Sequence, residues 1–193
     1  MTRRPTEFVY SVDYQVDLGI TPIDSLRPQK ILTYLLSQSM IGAKSILRPE
    51  PASIRDLELA HSREYLDALR QPSALTEIVG FDVWPDLHEQ LLQAQRAAVG
   101  GTMLATHRAL RGSSIVVNLG GGFHHAGRSQ GGGFCVFNDV AVAILQLRQS
   151  GFDKPILVVD LDLHDGNGTR EIFATDDSVF TFSIHNQHWS REP

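Results

Sequence analysis

The sequence predicts an α/β chain in which parallel strands alternate with helices. Three observations lead there. Short runs of β-forming residues at 114–118, 156–161 and 178–184 are too brief for helices and are bounded by glycine or polar clusters. Between and before them lie segments whose apolar residues recur at helical spacing. The clusters of His, Asp and Gly fall just after strands, which is where open α/β sheets place their sites.

The elements follow in order. Phe8-Val9-Tyr10 is a short candidate strand. Residues 28–40 read as a helix with Pro28 at its start and Ile31, Leu32, Leu35 and Leu36 on one face. Arg48-Pro49-Glu50-Pro51 is a loop, and Ser53 offers a capping oxygen to a helix that starts after it. A further helix is expected around 62–70. Residues 86–111 form a long amphipathic helix through Leu87, Leu91, Ala94, Ala98 and Leu110, stopping at Gly112. Its Gly100-Gly101 pair marks a bend or a close packing contact. Residues 138–149 form another helix, closed by Gly151.

Composition bounds the function. At 193 residues one domain, 1–193, is expected, large enough for a core. The net charge of -5 comes without a basic stripe, so direct nucleic-acid binding is not indicated. The single cysteine excludes an internal disulfide and suits a reducing, cytoplasmic setting. Met1-Thr2-Arg3-Arg4-Pro5 is basic, but no apolar run follows that could make a signal peptide or a membrane span.

The chemistry concentrates in two places. Asp160-Leu161-Asp162-Leu163-His164-Asp165-Gly166-Asn167-Gly168 follows the β-formers Ile156-Leu157-Val158-Val159. On an extended backbone Asp162 and His164 point to one face, and a carboxylate with a neutral imidazole suits zinc. The bland alternative is a strand-end pair whose two side chains bond to each other. Upstream, the strand 114–118 runs into Gly120-Gly121-Gly122-Phe123-His124-His125-Ala126 and then Gly131-Gly132-Gly133-Phe134-Cys135. Adjacent histidines titrate near neutrality, as a general acid–base pair requires. A surface histidine pair is the plain alternative. A phosphate cradle would need a helix starting directly from the glycines, and the histidines intervene.

Together these segments resemble the histone deacetylase and acetylpolyamine amidohydrolase superfamily, closest to its class IV-like and bacterial deacetylase-like members. Gly133-Phe134-Cys135-Val136-Phe137-Asn138-Asp139, Asp24-Ser25-Leu26-Arg27-Pro28, His61-Ser62-Arg63-Glu64-Tyr65-Leu66 and Val179-Phe180-Thr181-Phe182-Ser183-Ile184-His185 extend the likeness. The resemblance implies an arginase/deacetylase-type parallel sheet with helices on both faces, of which this is the N-terminal portion only. It implies a zinc-dependent amide hydrolase acting on acyl-lysine proteins or small acylated amines. Asp162 and His164 match the first two zinc ligands. His125 matches the general base that activates water, and His124 its partner. Asp160 orients the first histidine and Asn167 the second; Asn replaces the more common Asp there, so His125 should be less basic. Asp160, Asp162, His164, Ser183 and Ile184 match a potassium site. Gly133 and Phe134 match the wall of the substrate channel. Cys135 reads as a buried thiol, and Arg27 as either a cavity or a surface residue. For His61, His107, His185 and His188 a satisfied or exposed imidazole is the default.

The resemblance also sets what should be missing. A third zinc-binding Asp and an oxyanion-stabilising Tyr come later in family members, whereas Tyr10, Tyr14, Tyr34 and Tyr65 all precede the catalytic motifs. The expectation is a poor deacylase in isolation, with an exposed sheet edge that self-associates or receives a C-terminal half. Two other readings stay open: a non-catalytic metal-binding or interaction module, and a two-manganese ureohydrolase of arginase type. The latter wants an aspartate where Gly166 stands.

Overall fold

A computed structural model describes residues 6–19, 24–112 and 115–186. Strands β1 (Glu7–Val9), β2 (Ile46–Leu47), β3 (Val116–Asn118), β4 (Ile156–Asp160) and β5 (Val179–Ser183) alternate with helices, and every strand pairing is parallel. The α/β class is therefore as expected. The strands pair in the orders β2-β1-β3 and β4-β5. The chain divides into two compact units, residues 1–53 with 84–121, and residues 54–83 with 122–193.

In the first unit, α1 (Arg27–Ser37) begins with Pro28 in its first turn, and α5 (Pro85–Gly112) is the long helix. Its expected apolar stripe holds at Leu87, Leu91, Ala94 and Ala98, all buried, which removes apolar surface from water at roughly 25 cal/mol per Å², but not at Leu110, which is exposed in the helix's last turn. Gly100 and Gly101 serve close packing. A Cβ on Gly100 would meet the Glu50 carbonyl, and one on Gly101 would meet the Tyr14 hydroxyl and the Asn118 amide. Asn118, ending β3, donates from Nδ2 to Ala98 O and Thr102 Oγ1 and accepts from the Tyr14 hydroxyl at 2.9 Å. Arg108 pairs with Glu7. β2 has only two residues, too few for a sequence pattern to announce. Arg27 is exposed at the start of α1, which decides for the surface alternative.

The second unit carries α2 (Ile54–Leu57), α3 (Arg63–Ala68), α4 (Pro72–Val79), α6 (Asp139–Gln149) and α7 (Asn167–Ile172) with β4 and β5. Ser62 caps α3 by accepting from Tyr65 N, and Asn138 caps α6 by accepting from Ala141 N. Helix α4 was not anticipated, although Pro72 opens it and Gly80, at φ +77, closes it. Arg148, near the end of α6, donates to the carbonyls of Phe152 and Lys154 and to Ser178 Oγ, tying the helix to the entries of β4 and β5. Strands β4 and β5 run in register from Ile156 opposite Val179 to Asp160 opposite Ser183. Leu157, Val159, Phe180, Phe182 and Ile184 are exposed, so one apolar face of the β4–β5 pair is open, whereas the expectation concerned a sheet edge. Among the described residues no helix is long and apolar enough to cross a membrane.

Candidate active site

The site lies within the second unit, where the loop 122–128 meets the residues that follow β4. The loop is irregular, so its backbone groups need partners other than a helix or a ladder. Asp139, fully buried at the head of α6, accepts from the N–H groups of Gly122 and Phe123, the latter at 2.8 Å. Thr169 N–H donates to the His124 carbonyl at 3.1 Å. Asn138 Nδ2 donates to the Ala126 carbonyl at 2.9 Å. Gly168 is packed against this backbone so tightly that a Cβ would meet Ala126 O and the His125 carbonyl carbon. Among the described residues no buried side-chain polar atom lacks a partner.

The two histidines that this loop presents have different supports. His124 Nδ1 lies 2.6 Å from Asp160 Oδ2, and its Nε2 lies 3.8 Å from Asp162 Oδ1. His125 Nδ1 lies 2.7 Å from Asn167 Oδ1. Since the Asn167 oxygen only accepts, His125 carries its proton on Nδ1 and leaves Nε2 with a lone pair. The rings are 4.1 Å apart between centroids, and His125 is 5.8 Å from His164. Burial lowers the His125 pKa below the ordinary histidine value, with the Asn167 contact acting in the opposite direction. The pairing of Asp160 with the first histidine and Asn167 with the second is the one expected from the sequence.

The Asp162–His164 pair is adjacent for a different reason from the one expected. Strand β4 ends at Asp160, so the chain is not extended there and strand periodicity does not apply. Instead Asp160 Oδ1 accepts from Asp162 N at 3.0 Å and Asp162 Oδ1 accepts from His164 N at 2.8 Å. Two such side-chain-to-backbone turns in succession curl the chain and bring Asp162 Oδ1 within 3.0 Å of His164 Nδ1. Partial burial would raise the Asp162 pKa, but the His164 backbone N–H and the neighbouring imidazoles outweigh it and the net displacement is downward.

One carboxylate and one imidazole on an accessible edge suit zinc chemically, but they are two donors. Among the described residues no group of three or more His, Cys, Asp or Glu side chains is arranged to hold a metal ion. Of the expected potassium ligands, Asp160 and Ser183 stand in register and Ile184 N–H donates to the Asp160 carbonyl at 3.1 Å. That proximity is all the support the geometry gives to a cation there.

The remaining candidates sort clearly. Gly133, at φ +53, lies where a Cβ would meet the His125 ring, so a side chain would press on the imidazole. Phe134 follows at φ +68, a left-handed conformation that costs a non-glycine residue about 1–2 kcal/mol. Cys135 is buried and its thiol is pushed up to about 12 by burial, as befits an inert thiol. His185 Nδ1 contacts Ser183 Oγ at 2.9 Å. His188 lies outside the described residues. One feature escaped the sequence reading. Asp165 is buried and forms a two-armed ion pair with Arg170 at 2.6 and 2.7 Å, which lowers its pKa; a polar Asp165 beside the conspicuous Asp162 gave no sign of it. His61 is a satisfied imidazole, one of the two states expected, buried at 1% exposure with both ring nitrogens engaged.

The family model described as "Histone deacetylase domain" matches residues 21–191. The chain is 34% identical to histone deacetylase 2 of Arabidopsis thaliana, over 92% of this chain and 48% of that protein. It is 32% identical to the acetoin utilization protein AcuC of Bacillus subtilis, over 94% and 49%. The crystal structure of an HDAC homolog from Aquifex aeolicus superposes with a TM-score of 0.78 at 28% identity, covering 95% of this chain and 51% of that one. The chain thus spans about half the length of the relatives it matches.

Proposed function

The chain belongs to the histone deacetylase domain family, and from that premise we propose that it carries the base and two metal-binding side chains of a zinc-dependent deacylase acting on acyl-lysine or a small acylated amine. One observation carries the reading. The tandem imidazoles are held by unlike partners, Asp160 for His124 and Asn167 for His125, a few ångströms from the Asp162–His164 edge.

Asp162 and His164 would hold the zinc. The ion supplies electrophilic polarisation of the acyl carbonyl and of the attacking water when bound. His125 takes the proton of that water on Nε2, since its Nδ1–H is committed to Asn167. Asn167 supplies no charge, and burial further disfavours the imidazolium, so the base is present as free imidazole at neutral pH. His124, backed by the Asp160 carboxylate, keeps its ring fixed toward Asp162, and the proton taken from the water is passed on to the departing amine as the C–N bond breaks. Gly133 packs against the His125 ring where no side chain fits, and it and Phe134 would line the acyl-lysine channel. A potassium ion at the ends of β4 and β5 would bind through Asp160, Asp162, His164, Ser183 and Ile184.

The test is turnover of an acetyl-lysine peptide by the protein carrying this chain, before and after zinc chelation. Turnover that chelation abolishes and added zinc restores supports the proposal; turnover indifferent to zinc contradicts it. The interaction-module reading draws on the exposed apolar face of β4 and β5. The ureohydrolase reading is disfavoured by space, because a Cβ on Gly166 would meet the Asp160 carboxylate.

A further inference from the structure

His61 plays no part in the chemistry proposed above, yet it is buried and bonded at both ring nitrogens. We infer that it is a positioning residue for the His124–His125 loop, one end of a buried polar clasp that sets where the two imidazoles stand. The inference rests on the deacylase reading for its consequence in catalysis, though not for its geometry.

The partners decide the ring's state. His61 Nδ1 lies 2.9 Å from the Gly127 carbonyl, which can only accept, and Asn138 N–H donates to His61 Nε2 at 3.0 Å. The ring must therefore be neutral with its proton on Nδ1. A protonated ring would aim a second N–H at the Asn138 N–H. Burial, which pushes the His61 pKa down to about 4, acts in the same sense, as does the nearby Arg128 charge. The Tyr65 and Phe137 rings enclose the imidazole.

The clasp runs on from there. Asn138 caps α6 with its side-chain oxygen and spends both Nδ2 hydrogens, one on the Ala126 carbonyl and one on Thr169 Oγ1 at 2.9 Å. Thr169 N–H holds the His124 carbonyl, and Ser62 N–H holds the Arg128 carbonyl at 2.8 Å. The carbonyls of residues 124, 126, 127 and 128 are thus each fixed by Thr169, Asn138, His61 and Ser62. The segment they fix contains Gly127 and has no helix or strand of its own. Without His61 the loop loses its tie at Gly127 and Asn138 loses a backbone partner, so the imidazoles wander by fractions of an ångström. Misplacement of about 1 Å can cost 10²-fold in rate.

Two conservative substitutions divide the two arms. His61→Asn can keep a donor toward Gly127, and His61→Gln can keep an acceptor toward Asn138. For the deacylase we expect His61→Phe to lower kcat about tenfold or more, with KM for the acetyl-lysine peptide and zinc content within about twofold, and each polar variant to recover part of it. A folded His61→Phe protein with unchanged kcat overturns the proposal, as does a loss carried entirely by KM. A second measurement does not depend on activity: imidazole ¹⁵N spectra of the unsubstituted protein should show His61 protonated on Nδ1 and unprotonated on Nε2 at neutral pH. The opposite tautomer, or a ring in exchange between the two, overturns the clasp even if His61→Phe fails to fold. If the protein shows no deacylation at all, the functional reading falls while the His61 spectrum still judges the clasp. In that case the His124 and His125 signals should shift or broaden in His61→Gln, and unchanged signals would reject it.

Discussion

The two loops that meet at His124 are held in opposite ways. Residues 122–128 are gripped from beneath by Asp139, Thr169, Asn138 and His61, all of them buried. Asp162 and His164 are set by short turns, Asp160 to Asp162 and Asp162 to His164, with Asn186 N–H on the Leu163 carbonyl between them, and the Asp162 side chain is 53% exposed. The difference separates two ways of building a site. The imidazoles are preorganised by the fold, with their ordering entropy met during folding. The Asp162–His164 pair, proposed above as metal ligands, is arranged locally, its side chains facing one another at 3.0 Å.

The sharpest way to break that contrast is to remove the exposed side. Asp162→Ala should strip most bound zinc from the protein while leaving its unfolding temperature nearly unchanged, because the carboxylate is accessible and outside the core. Metal analysis with undiminished zinc would move the metal site elsewhere.

Acid should strike the other side. His61 is depressed from 6.5 to about 4 by burial. Between those values the unfolded chain takes up a proton that the folded ring refuses, so stability falls as pH drops from 6.5 to 4 and is unaffected by this group above 6.5. The difference amounts to about 3 kcal/mol. Unfolding free energies measured across that window should flatten in His61→Phe relative to the unsubstituted protein; parallel curves would show that His61 titrates normally.

A smaller loss is expected from crowding the clasp. Gly168→Ala places a methyl against Ala126 O and the His125 carbonyl carbon and should destabilise by about 1–3 kcal/mol in denaturant titration. Smallest of all is Leu163→Ser on the open loop, where Leu163 is 63% exposed. Its stability should change by no more than about 0.5 kcal/mol, and a larger effect would mean that this loop is buried against something.

These same elements show what a sequence can disclose. Strands β1, β3, β4 and β5 and helices α1, α3, α5 and α6 announce themselves through periodicity, Pro28, Ser62, Asn138 and the closing glycines. Helix α4 carries equally good punctuation in Pro72 and Gly80, but lacks the Ser or Asn cap that marks α3 and α6. Helix α7 starts inside Gly166-Asn167-Gly168, which reads as loop. The partners Asp160–His124 and Asn167–His125 were legible because the motifs resemble a known family. The curl joining Asp162 to His164 was not, since Asp-x-Asp-x-His has the period of a strand and only the end of β4 at Asp160 distinguishes the two. His61 was silent because its role depends on Gly127 and Asn138, which are 66 and 77 residues away.

The account stands or falls on His125. Turnover of an acetyl-lysine peptide and zinc content should be measured side by side for the unsubstituted protein and His125→Ala. Loss of about 10²-fold or more in turnover with zinc retained is the expected result, because the base is removed while Asp162 and His164 remain. Near-normal turnover with the metal still in place would contradict it and take His125 out of the mechanism.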